Sequence, residues 1–115
     1  MSRLDEAEQK LRFADYLLQR DNTDALLSGA VKHILQAANK AVAELLQLDE
    51  KSSVSPILAK KKLEELSPQA KEFSTYFLAL WKMNVNPLLS KQEVANAYKG
   101  VNNFVKYVKE VRSKI

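Results

Sequence analysis

The chain has 115 residues, no cysteine, a single histidine and a net charge of +4. That length fits one domain, 1–115, able to bury a core without covalent or metal staples. The absence of cysteine excludes a disulfide framework and every thiolate metal site, and two glycines with three prolines are too few for the turns of an all-β fold. The charge is unevenly placed: residues 1–55 carry 7 Lys+Arg against 9 Asp+Glu, and residues 56–115 carry 11 against 5. A basic half can attract phosphate-bearing ligands; equally, its lysines can simply solvate helix faces.

Leu4, Ala7, Leu11, Ala14 and Leu18 recur at the spacing of one helix face, which predicts a first helix over 3–20. Asp5, Glu6 and Glu8 stand in its first turns, where the helix dipole favours anions. A polar break follows, in which Asp21 or Asn22 can cap the next helix. The second helix is expected over 23–48, with a stripe of Leu27, Val31, Ile34, Ala38, Ala41, Leu45 and Leu48. Leu26, Ala30, Ala37 and Leu46 widen that stripe, as a helix touching two or more neighbours requires, and the alanines permit close backbone approach. This is the expected central helix.

Ser55-Pro56 and Ser67-Pro68 each place a capping serine before a proline at the first helical position. They predict a short third helix over 56–66 and a fourth from Pro68 to about Met83, its apolar face built from Phe73, Phe77 and Leu80 with Ala70 and Trp81 alongside. Ser90 and Glu93 read as a capping box. Val94, Ala97, Val101, Phe104, Val108 and Val111 then follow a strict three-four alternation. Gly100 interrupts this last helix, at a cost of about 1 kcal/mol relative to alanine, and so marks a place where a neighbour can cross closely. No stretch alternates as a strand does. The pattern predicts an all-α, up-and-down four-helix bundle with one additional short helix.

Chemistry is harder to find. His33 is the only histidine, which excludes a two-histidine metal site and an H-E-x-x-H motif. Ala30 stands where a di-iron ligand pair would need glutamate. The pairs Asp5-Glu6, Asp49-Glu50 and Glu64-Glu65 are adjacent in sequence, so within a helix their members point about 100° apart and read as solvated surface. No catalytic residue, metal site or cofactor site emerges. Lys60, Lys61 and Lys62 form the densest basic cluster and the candidate nucleic-acid contact, although no aromatic residue is interleaved with them. Between the last two helices lies Trp81–Pro87, WKMNVNP. It reads either as a plain helix stop or as a ligand cleft built on Lys82, Asn84 and Asn86. No run approaches the roughly 18 apolar residues of a membrane span, and the N-terminus has no apolar signal region, so a cytoplasmic protein is expected.

The central helix carries Gln36-Ala37-Ala38 followed by Lys40-Ala41, and the last helix carries Ser90, Glu93-Val94, Ala97, Asn103-Phe104-Val105 and Val108. In that order and spacing the chain resembles the HEPN superfamily over nearly its whole length. The resemblance implies a small all-α bundle that forms a two-fold dimer, acts beside a small nucleotidyltransferase as a toxin–antitoxin pair, or binds nucleotides or RNA. It also implies that active members are metal-independent RNases with an Arg-x4-6-His motif ahead of the last helix. Here WKMNVNP falls at that place. Lys82 takes the approximate position of the arginine, and no histidine follows it. Lysine holds phosphate as a point charge without the bidentate fork of arginine, and with no histidine the proton transfers have no obvious agent. The expectation is a non-catalytic, homodimeric HEPN-like interaction module for a nucleotidyltransferase-type partner, a nucleotide or RNA. A metal-independent RNase with a divergent site and a ligand-free dimeric scaffold are the alternatives.

Overall fold

The computed structural model describes residues 3–20, 24–46, 56–85 and 90–113. They form five helices: α1 (Arg3–Leu18), α2 (Asp24–Leu45), α3 (Pro56–Leu66), α4 (Pro68–Val85) and α5 (Lys91–Ser113). No strand occurs among the described residues, and no helix of theirs is long and apolar enough to cross a membrane.

Side-chain contacts between helices fix their directions. Glu6 meets Lys40 and Phe13 stacks on His33, so α1 and α2 run antiparallel. Lys109 pairs with Glu8, and Asp15 lies close enough to Tyr98 to act on its hydroxyl, so α1 and α5 are antiparallel as well. Ser67 bonds Tyr107, Phe73 stacks on Phe104 and Tyr76 lies against Gly100, which makes α4 antiparallel to α5. The four long helices therefore alternate up and down in chain order. α2 packs on α1, α5 and α4, and α1 and α4 flank the α2–α5 pair on opposite sides; α3 packs on α4. This is the up-and-down bundle with one short added helix that the hydrophobic spacing predicts.

The buried side chains form one connected core. α2 contributes Ala30, Ile34, Ala37, Ala38, Ala41 and Val42, each with no exposed surface. The stripe of α5 is buried from Val94 through Val108, while Val111 is partly buried at its end. Ser67 Oγ accepts from the Ala70 amide and Ser90 Oγ from the Glu93 amide, each at 3.1 Å, satisfying amides that the first turn of a helix leaves free. The buried hydroxyl of Ser74 donates to the Lys71 carbonyl. The caps proposed for Asp21, Asn22 and Ser55, and the stripe position Leu48, lie outside the described residues.

Three helix ends differ from the sequence reading, one of them that of α2, which stops at Leu45 rather than at residue 48, Leu46 already standing in a turn. α1 stops at Leu18 rather than at residue 20, closing with a tightened turn in which the Arg20 amide bonds the Leu17 carbonyl. α4 continues past Met83 to Val85, because Trp81 and Met83 pack against the core and hold the last turn in place. Most of WKMNVNP is therefore helix.

Phe77 has no exposed surface and touches the rings of Phe73 and Trp81. Phe77→Ala is expected to lower the unfolding free energy by about 3–5 kcal/mol, and exposed Lys61→Ala by less than about 0.5 kcal/mol; urea titration of both variants checks this.

Candidate functional site

The residues singled out in the sequence occupy two separate places. Lys60, Lys61 and Lys62 lie on α3, where Lys60 pairs with Glu64 at 3.3 Å and the other two are exposed. Lys82 is exposed in the last turn of α4, where a cation suits the negative end of the helix. Asn84 is partly buried and its Oδ1 is enclosed with no hydrogen-bond partner among the described residues, as is Nε1 of Trp81 one turn earlier. Two positions apart on a helix, Lys82 and Asn84 point about 200° away from each other, one to solvent and one inward. Asn86 lies outside the described residues.

A different surface gathers cations and rings. Antiparallel packing of α1 and α2 sets Phe13 against His33 with ring centroids 5.5 Å apart. Phe13 and Tyr16 are 49% and 54% exposed, unusually open for rings of their size. Phe13 and Tyr16, three apart, share one stripe of α1, and Arg20 stands in the bend just past its end. The Arg20 guanidinium lies 4.5 Å from the Tyr16 ring centre and donates to its hydroxyl. Lys10 lies close enough to bias His33, and Arg12 and Lys32 are exposed beside Phe13 and His33 in sequence. Asp15 is turned aside, accepting from Gln19 and facing Tyr98, whose hydroxyl burial and that carboxylate push toward a higher pKa.

The second feature is a cleft of about 410 Å³ between α4 and α5. Phe73 and Phe104 form its floor, stacked face to face with centroids 3.7 Å apart and nearly parallel planes. Tyr76 and Tyr107 stand on its walls, and Gln69, Asn96 and Asn103 bring amide groups to it. One end is pinned by the 2.7 Å hydrogen bond between the Ser67 and Tyr107 hydroxyls. No group of three or more metal-ligating side chains occurs among the described residues.

No protein-family model matches the chain, and no curated protein or solved structure is detectably similar to it. The α1–α2 surface escaped the sequence reading because α1 belongs to the half with a net negative charge. The local signal was present all the same in Lys10, Arg12, Phe13, Tyr16 and Arg20, two rings and three cations within eleven residues.

His33 has an accessible prediction. Burial, then the charge of Lys10, hold its pKa below the usual 6.5, and its Nδ1 is enclosed without a partner among the described residues. The unfolded chain therefore binds the proton more readily than the folded one. Stability is full above about pH 6.5 and is lost as the pH falls through the lowered folded value. Urea midpoints between pH 7.5 and 5 should drop in the wild type and stay flatter in His33→Gln; Glu6, held low by Lys40, is present in both, so its own loss of stability at the acid end of the range is common to the two curves.

Proposed function

We propose that this chain is a non-catalytic helical interaction module of HEPN type, and that it binds single-stranded RNA along the α1–α2 surface. The observation that carries this reading is the combination of Phe13, Tyr16 and His33 with Lys10, Arg12, Arg20 and Lys32 on adjoining helices. Flat rings offer any base a stacking partner worth about 1–3 kcal/mol, and flanking cations neutralise phosphates and release counterions. The Lys60–Lys62 cluster supplies charge without a ring among its own residues, and it is the weaker half of the same idea. The family resemblance supports the remaining parts of the reading: a homodimer, a nucleotidyltransferase-type protein partner, and a nucleotide-chemistry ligand. Lys82, placed where that family carries its arginine, stands without a histidine after it in the chain, which supports binding over cleavage.

The test is fluorescence anisotropy of a labelled single-stranded RNA across a salt series, with the RNA run on a gel afterwards. Binding should weaken with salt. Phe13→Ala with Tyr16→Ala should cost about tenfold or more in affinity, whereas Arg12→Ala should flatten the salt slope by roughly one phosphate contact. The RNA should remain intact. Loss of binding only when Lys60, Lys61 and Lys62 are replaced would move the interface to α3. Cleavage abolished by Lys82→Ala would instead make this chain a divergent RNase, and indifference to RNA would leave a scaffold. Light-scattering mass at micromolar concentration tests the dimer, which a monomer would refute.

A further inference from the structure

The α4–α5 cleft lies on the other flank of the bundle from the α1–α2 surface, and the proposed RNA contact makes no use of it. Its shape depends on Gly100. A Cβ built at that position would meet the Tyr76 ring at 3.2 Å, so the missing side chain lets the ring settle against the backbone of α5. This accounts for a glycine in the middle of a 23-residue helix, where it is otherwise unfavourable. Tyr107 is fixed at the opposite wall by Ser67, whose oxygen also caps α4. Two aromatic walls are thus held over an aromatic floor.

The polar groups of the lining are mostly neutral: the amides of Gln69, Asn96 and Asn103 and the hydroxyls of Tyr76 and Tyr107. Asn96 Oδ1 accepts from Gln92 Nε2 at 3.1 Å, which leaves the Asn96 amide N–H₂ to donate toward a ligand. Asn103 and Gln69 each bring a donor and an acceptor. The lining carries one carboxylate, Glu72, and one ammonium, Lys99, so it has no net charge to attract a phosphate. The volume of about 410 Å³ falls within the range of small-molecule pockets.

We infer that this cleft is a binding site for an uncharged planar heterocycle with donors and acceptors along its edge, the chemistry of a nucleobase or nucleoside. The ring system lies between Tyr76 and Tyr107 above the Phe73–Phe104 stack, and its edge is read by Asn96, Asn103 and Gln69.

Side-chain amide resonances of those three residues, followed by NMR, report the site directly. The titrants are adenosine, guanosine, cytidine and uridine, their 5′-monophosphates, and benzyl alcohol as a ring without a hydrogen-bonding edge. At least one nucleoside should shift the amide signals saturably. Asn103→Ala should weaken that binding about tenfold, the loss of one or two hydrogen bonds from an exposed amide at the rim of the cleft. Gly100→Leu should abolish it by driving the Tyr76 ring off the α5 backbone and out of its place as a wall; if that variant does not fold by circular dichroism, Asn103→Ala carries the test. The inference is overturned if no nucleoside shifts the amides at millimolar concentration, if benzyl alcohol binds as well, or if a monophosphate binds tenfold tighter than its nucleoside. The readout is separate from RNA anisotropy, so failure of either leaves the other standing.

Discussion

Everything in this bundle depends on how closely α2 can be approached. A helix with neighbours on three sides has to be apolar around most of its circumference, and large side chains all round would hold every neighbour at a distance. Ala30, Ala37, Ala38 and Ala41 solve this by presenting almost flat helix surface with no exposure. Ile34 and Val42 fill what remains, in keeping with the dense packing of protein interiors. The ion pairs around this seam, Glu6 with Lys40 at 2.8 Å and Glu44 with Arg112 at 3.2 Å, are partly exposed. Pairs of that kind contribute about 0–1 kcal/mol each, so they serve register more than stability.

The opposite regime holds between α4 and α5. There the contact is made by rings: Phe73 on Phe104, with Tyr76 and Tyr107 beyond them. Large side chains meeting between two helices keep their axes apart, whereas alanines let them close. The same sequence therefore makes one tight seam and one open one, and the cleft is the space left where ring-to-ring contact replaces alanine packing. Gly100 deepens that space at the one point where Tyr76 crosses α5.

The fold was legible because helix periodicity is a local property. All five helices follow from apolar spacing and from serine–proline starts, and the extended end of α4 has a tertiary cause: Trp81 and Met83 anchor a last turn that asparagine alone would have ended. The site was less legible because its members are distant in the chain. Phe13 and His33 are neighbours only after α1 folds back on α2, and the cleft joins Gln69 to Tyr107. Attention to runs of lysine favoured α3, although charge without stacking surface is the less specific signal. Gly100 was legible as a close crossing; what crosses there is a tyrosine ring, a detail that spacing does not encode.

The placement of the two surfaces has a consequence for how they act together. α1 and α4 stand on opposite sides of the α2–α5 pair, so occupants of the two surfaces do not touch. Coupling between them would have to pass through α2 and α5, and it would require those helices to have two alternative packings that both ligands bias. The residues between, from Ala37 and Ala41 to Val101 and Val105, are buried small or β-branched side chains whose rotamers are few. Such a seam resists sliding by a fraction of a turn, because each small residue accepts only the knob already seated on it. RNA on α1–α2 and a heterocycle in the α4–α5 cleft should therefore bind with independent affinities, unless dimerisation brings the cleft of one protomer against the α1–α2 surface of its partner.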